Sequence, residues 1–165
     1  MRALLFAIFL VLSFDHAAAQ DRPDVTRLTA DELQAKRRGA SALIVLDVRG
    51  ANEYAISHLE GSVRVGPEVD AAQIRRLLRG KLRGATVVFY CTAGVRSEAI
   101  AQKSEPLLRA AGARSVASLS DGIIGWSNAG LPLVDRNGRT QLVHTFDQQT
   151  ARLLFEPSRA RFEPR

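Results

Sequence analysis

The chain holds one cysteine, Cys91, set in the stretch VVFYCTAGVRSEAI at residues 87–100. Cys91 follows an apolar, β-branched run and opens the loop Thr92, Ala93, Gly94, Val95, which ends in Arg96 and Ser97. None of Thr92–Val95 is large or acidic. Such a loop can curl so that its backbone N–H groups point inward and form an anion-binding nest. Gly94 supplies the freedom to take a positive φ. A helix beginning near Arg96 or Ser97 would add its positive end, and Arg96 adds a permanent charge. All three favour the thiolate of Cys91 over the thiol. A thiolate there is a nucleophile, and the same nest would hold a bound anion or a persulfide. The competing structural reading is an inert thiol packed as a small hydrophobe. No histidine adjoins the loop, and the nearest in sequence is His58, so a Cys–His protease has little support.

The surrounding pattern predicts the scaffold. ALIVLDV (residues 42–48) and TVVFY (86–90) read as fully buried strands. SVRV (62–65) and SVASL (115–119) read as further strands. TADEL (29–33) is a capping box, with Thr29 as cap and Glu32 reaching back, and its helix runs to about Arg38 before Gly39. Asp70 caps a second helix reaching about Arg79. A third starts at Ser97, with Pro106 expected to kink or break it near Ser104. Asp121-Gly122 marks a turn, and Asn137-Gly138 is the expected turn of a hairpin. Buried strands alternating with helices predict an α/β fold, a central mainly parallel sheet flanked by helices in three layers. Sites in such sheets form at the carboxyl ends of strands. That places Asp47-Val48-Arg49 and Cys91–Arg96 on the functional edge. Asp47 and Arg49 read as a framework ion pair near the site rather than as chemistry.

The first residues carry Arg2, an apolar run from Ala3 to Phe14, and then Ala17-Ala18-Ala19. This is the pattern of a secretory signal peptide spanning 1–19 and cut after Ala19, too short for a comfortable membrane span. The expectation is an exported, periplasmic chain with no membrane contact after cleavage. Its domain would occupy residues 25–134, and 135–165 would form a basic C-terminal extension that packs on the surface or frays. The net charge of +6 comes from arginines spread along the sequence. With no basic block and few aromatics, nucleic acid is not expected as a partner. An unpaired cysteine in an exported chain suggests reactivity or intermolecular pairing.

Three ordered motifs resemble the rhodanese domain family. LIVLDVRGANEYAISHLEGSVRV carries Asp47, Arg49, Glu53, Tyr54, His58 and Gly61 at the places of its first signature; CTAGVRS resembles its active-site loop; LSDGIIGWSNAGLPLV matches the closing signature with Gly122, Trp126, Gly130 and Pro132. The resemblance covers about Val25 to Val134. It implies a sulfurtransferase that moves a sulfane sulfur from a small anionic donor such as thiosulfate to cyanide or a thiol. Cys91 would be the nucleophile and sulfur carrier. Thr92, Ala93, Gly94, Val95 and Arg96 would line the pocket, with no metal and no organic cofactor. His58 and Gly61 are expected to shape a turn and Trp126 to sit in the core.

Three departures stand out: Asp121 where a glycine is frequent, a helix lengthened by KSEP (103–106), and the tail after Val134. None of them is expected to touch the loop, and the tail is a candidate docking segment for a protein partner. Two rivals remain. A phosphatase of related fold would need a loop one residue longer between cysteine and arginine. A sulfur-carrying or redox-sensing module would use Cys91 without turnover.

Overall fold

The computed structural model describes residues 25–164. The predicted signal peptide lies outside the described residues. The sheet has five strands: β1 Val25–Leu28, β2 Leu43–Asp47, β3 Val63–Arg64, β4 Thr86–Tyr90 and β5 Ser115–Leu119. Their order is β1-β5-β4-β2-β3, and every pairing is parallel. β4 lies at the centre with all five of its residues buried, as its unbroken apolar run requires. β1 was not anticipated. It is an edge strand whose Thr26 and Arg27 face solvent, so VTRL shows no apolar run to read.

Helices cover both faces, as the pattern predicted. On one face α1 (Ala30–Arg38) and α5 (Gly122–Asn128) set Leu33, Ile123, Ile124 and Trp126 against Val45, Val88, Tyr90 and Ala117. On the other, α3 (Ala71–Leu77) and α4 (Val95–Ala110) set Ile74, Ala101 and Leu108 against Leu46, Val87, Phe89 and Val116. A fully buried side chain of the Leu or Ile class contributes about 1.5–3 kcal/mol. Thr29 caps α1 with the predicted capping box, Glu32 returning to the Thr29 N–H at 2.8 Å. Asp70 caps α3 by accepting from the Gln73 N–H at 2.7 Å. The short α2 (Ala51–Ile56) follows β2 directly.

Pro106 does not break the helix after the loop. α4 runs unbroken through it. Pro106 and Gln102, whose carbonyl loses its donor, both lie on the exposed face, where water can take up the freed acceptor, while Ala101, Ser104 and Leu108 hold the opposite face in the core. The hairpin is present but shifted by one residue. β6 (Leu133–Asp135) pairs antiparallel with β7 (Gly138–Thr140), Asp135 opposite Gly138, so Arg136 and Asn137 form the turn. Asp121-Gly122 is the turn that leads into α5.

The C-terminal extension is ordered structure. β8 (Val143–His144) and β9 (Ala160–Arg161) pair in parallel, with α6 (Gln148–Ala151) between them. Val143 and Leu154 join the core cluster on the α1/α5 face. Asn128 ties the segment to α5: its amide donates to the Leu153 carbonyl at 2.8 Å and its oxygen accepts from the Phe155 N–H at 2.9 Å.

Candidate functional site

β2 and β4 are neighbours in register, Asp47 opposite Tyr90. Their carboxyl ends therefore bring Asp47–Arg49 and the Cys91 loop to one edge of the sheet. Asp47 and Arg49 form a fully buried ion pair: Arg49 Nη2 donates to Asp47 Oδ2 at 2.7 Å and Nε to Asp47 Oδ1 at 3.0 Å. Arg49 Nη2 also donates to the Ser57 carbonyl at 2.7 Å, fixing the turn after α2. Burial pushes the Arg49 guanidinium down, but the charge and hydrogen bonds of Asp47 outweigh it and hold Arg49 protonated. Tyr90 stands below the loop, its hydroxyl accepting from the Leu59 N–H at 3.2 Å and bonded to Ser62 Oγ at 3.0 Å. Burial, reinforced by the nearby Asp47 charge, raises its pKa and keeps it a neutral phenol. His58 stacks on Tyr54 at 3.8 Å and its Nδ1 meets the Tyr54 carbonyl at 3.0 Å. It shapes the turn, as expected, and Trp126 is buried in the core.

The loop is shaped from behind. α5 begins beneath it, and the N–H groups of Ile123 and Ile124 donate to the carbonyls of Cys91 and Thr92 at 2.9 and 3.2 Å. The Gly94 carbonyl accepts from the Glu98 N–H at 3.0 Å and from Ser97 Oγ at 2.8 Å. Ser97 Oγ is also 3.0 Å from Ser118 Oγ on β5. Three loop carbonyls are thereby drawn into the protein. Among the described residues, the N–H groups of Ala93, Gly94, Val95 and Arg96 donate to no other backbone group. Four N–H groups at the first turn of α4 thus lack a backbone acceptor, as an anion-binding nest requires. Helix α4 starts at Val95, one to two residues earlier than expected.

Two glycines make this approach possible. Gly94 has φ +90°, and a Cβ there would stand 1.7 Å from the Ser120 carbonyl oxygen. Gly122 has φ +55°, and its Cβ would stand 2.4 Å from the Cys91 carbonyl oxygen. Asp121, where the resembled family frequently has a glycine, sits just before this contact and leaves it intact. Cys91 itself is only 2% exposed, and its side chain belongs to the apolar cluster on the α3/α4 face.

Arg96 does not stand free over the loop. Its Nη2 donates to Glu53 Oε1 at 2.9 Å and to Thr92 Oγ1 at 3.0 Å. Thr92 Oγ1 in turn donates to Glu53 Oε1 at 2.9 Å, and Glu53 Oε2 accepts from the Gly50 N–H at 2.9 Å. Burial raises the Glu53 pKa, but the hydrogen bonds from Arg96, Gly50 and Thr92 and the Arg96 charge outweigh it, leaving the carboxyl below its ordinary value of 4.5. Burial works against the Arg96 charge, but Glu53, and after it the Cys91 sulfur, raise the guanidinium above its ordinary value. The sequence placed Glu53 within a signature but gave it no role. Its position three residues after Gly50, where α2 opens, is the local signal that could have found it.

The tail corrects a second expectation, that nothing after Val134 touches the loop. The Arg96 guanidinium carbon lies 5.8 Å from the centre of the Phe146 ring. His144 is buried with Nδ1 3.9 Å from Glu53 Oε1. Burial lowers the His144 pKa, although Glu53 pulls the other way, and leaves the ring neutral at neutral pH. No local pattern marked either residue, because the sequence does not say where the tail returns. Among the described residues no cluster of His, Cys, Asp and Glu is arranged to hold a metal ion, and no helix is long and apolar enough to cross a membrane.

Comparison with known proteins agrees with this architecture. The family model for the rhodanese-like domain matches residues 29–129. A solved thiosulfate sulfurtransferase from Pseudomonas aeruginosa superposes with a TM-score of 0.56 at 28% identity, covering 78% of this chain and 23% of that one. A tRNA uridine(34) hydroxylase from Buchnera aphidicola subsp. Acyrthosiphon pisum is 29% identical over 85 residues, 50% of this chain and 25% of that protein. An HTH-type transcriptional regulator of Mycobacterium tuberculosis is 30% identical over 142 residues, 79% of this chain and 58% of that protein. The chain thus spans between a quarter and three-fifths of the curated relatives it matches.

Proposed function

The chain belongs to the rhodanese-like domain family, and from that premise we propose that it is a sulfurtransferase working through a persulfide on Cys91. The observation that supports this best is the arrangement of the loop: carbonyls of Cys91, Thr92 and Gly94 bonded behind it, N–H groups of Ala93–Arg96 left for an anion, and Cys91 at the head of the nest. Similarity to a thiosulfate sulfurtransferase supports the choice of donor.

In the first half-reaction the Cys91 thiolate attacks the outer sulfur of thiosulfate. The sulfur–sulfur bond of the donor breaks, sulfite leaves with the electron pair, and Cys91 carries a persulfide anion. The loop N–H groups and the first turn of α4 stabilise that anion. In the second half-reaction cyanide or a thiolate attacks the terminal sulfur. The cysteine thiolate leaves, giving thiocyanate or a new persulfide, and the enzyme returns to its starting state. Arg96, already engaged by Glu53, orients the donor's oxyanion end and does not act as a mobile clamp. The same proposal puts the mature protein in a periplasm, following the leader features of residues 1–19.

The test is intact mass after mixing the protein with thiosulfate and desalting, with Cys91→Ser as control and cyanide added afterwards. The expected result is a gain of one sulfur atom on wild type alone, discharged as thiocyanate. A Cys91 that stays open to alkylation yet gains no sulfur from thiosulfate or an organic persulfide would reject the reading and favour the redox-sensing alternative.

A further inference from the structure

Phe146 is the one non-glycine residue among those described with a positive φ, +69°. The Asp147 N–H donates to the Thr145 carbonyl across it at 2.8 Å, so Phe146 is the middle residue of a strained three-residue turn. Its surroundings hold it there. The buried His144 ring accepts the Phe146 N–H at Nδ1, 3.1 Å away. Thr145 is buried, and Asp147 caps α6 by accepting the Thr150 N–H at 2.6 Å. Glycine or asparagine would take this backbone with less strain. What phenylalanine adds is the ring, and the ring is not in the core. It is 66% exposed and lies over the Arg96 guanidinium, the side chain that bonds to Thr92 next to Cys91. Val95, the loop residue beside Arg96, is 78% exposed. Two exposed apolar side chains thus flank Arg96, Val95 from the loop and Phe146 from the tail, while Cys91 is buried behind them in the apolar cluster on the α3/α4 face.

We infer that Phe146 and Val95 form an apolar lip at the entrance to Cys91, and that Phe146 is a specificity-determining residue favouring sulfur compounds with an apolar organic group on the reacting sulfur over small inorganic anions. Thiosulfate offers the ring nothing. An organic persulfide, thiosulfonate or hydrophobic thiol places its substituent against the ring while its sulfur faces Cys91. The inference rests on Cys91 being the sulfur nucleophile of the proposed function, and it names the substrate class that this nucleophile prefers.

The chain has one cysteine, so its reaction can be followed by mass without ambiguity. The probes are methyl and benzyl methanethiosulfonate. With each, the Cys91 thiolate attacks the sulfur bearing the organic group, the bond to the sulfonyl sulfur breaks, methanesulfinate leaves, and a mixed disulfide remains. The quantity measured is the ratio of the benzyl to the methyl rate constant, with a small free thiol as reference. The expected result is a wild-type ratio above that of the free thiol, a fall of about threefold to tenfold in Phe146→Gly, and a ratio preserved in Phe146→Tyr, as aromatic pairing implies. Phe146→Gly relieves the backbone strain, so the fold survives the change, and unchanged melting would verify this. A ratio insensitive to residue 146, or one that rises in Phe146→Gly because the ring obstructs, overturns the inference. If wild type takes sulfur from thiosulfate while the ratio ignores residue 146, the lip falls and the sulfurtransferase reading stands. If no donor loads sulfur but the ratio still depends on Phe146, the lip stands and the sulfurtransferase reading falls.

Discussion

Gly94→Ala separates the shape of the loop from the general cost of placing a side chain in left-handed backbone. At φ +90° the new Cβ would lie 1.7 Å from the Ser120 carbonyl oxygen, 2.7 Å from the Ser120 carbonyl carbon and 3.2 Å from the Leu119 oxygen. Ser120 cannot retreat cheaply, because its N–H and Oγ both donate to the Leu28 carbonyl, at 2.9 and 3.1 Å. The matched control is Gly80→Ala, at φ +79° with nothing within 4 Å of the new Cβ. Both variants carry the conformational cost of left-handed backbone, about 1–3 kcal/mol. Only Gly94→Ala adds the overlap, which costs about 1–3 kcal/mol more when a packed site must shift. Urea unfolding reads the difference: with a slope of about 1–3 kcal/mol per molar, the Gly94→Ala midpoint falls below that of Gly80→Ala by about 1 M. Persulfide loading from thiosulfate falls only in Gly94→Ala, because displacing the loop turns its N–H groups away from the sulfur. Equal midpoints and equal loading in the two variants would refute the claim that contact with Ser120 sets the shape of the nest.

Glu53→Gln removes a charge that opposes Arg96 while leaving an acceptor in place. Loading by an anionic donor is expected to rise severalfold at low ionic strength, and the gain to shrink as salt screens the field; slower loading would count against this account. Because the folded Glu53 carboxyl ionises below its ordinary value of 4.5, the stability it contributes is present above that pH and lost as the pH falls through its folded value. Melting temperatures of the variant and wild type should therefore differ near neutrality and converge at acid pH. Arg49→Met leaves Asp47 buried and unpaired and is expected to cost about 3–5 kcal/mol. The double variant with Asp47→Asn should lose less than the two single losses added together, which denaturation of all four proteins would test.

The parts of this molecule that were legible in sequence are those whose cause is local. TVVFY is buried on both faces, so its apolar run alone announces β4. Thr29 and Asp70 cap their helices with side chains a few residues away, and their types and spacing say so. The loop from Cys91 to Arg96 is likewise local chemistry, and the structure gathers all of its residues at one strand end. What escaped depends on contacts distant in sequence. β1 is made a strand by pairing with β5, 91 residues away in register at Val25–Val116. Pro106 reads as a breaker until its exposed face is known. His144 and Phe146 acquire meaning only because β8 and the turn after it lie against α2 and the loop.

The electrostatics of the site follow from the same long-range contacts. The sequence offered three sources of positive potential at Cys91: the nest, the start of α4 and the Arg96 charge. The structure pairs Arg96 with a buried carboxylate at 2.9 Å, and a pair so close is nearly neutral when seen from outside. The second arginine at this edge, Arg49, is cancelled by Asp47 in the same way. On the proposed reaction, the field holding an anionic sulfur would therefore come mainly from backbone dipoles: the N–H groups of Ala93–Arg96 and the first turn of α4. Dipoles fixed by α5 and by the Gly94–Ser120 contact would need no reorganisation as charge moved from thiolate to persulfide and back. A free guanidinium would instead follow the anion and hold the departing sulfite. On the proposed reaction, pairing with Glu53 at 2.9 Å would let Arg96 orient the donor's oxyanion end without gripping the departing sulfite, which is what a carrier that must load and unload requires.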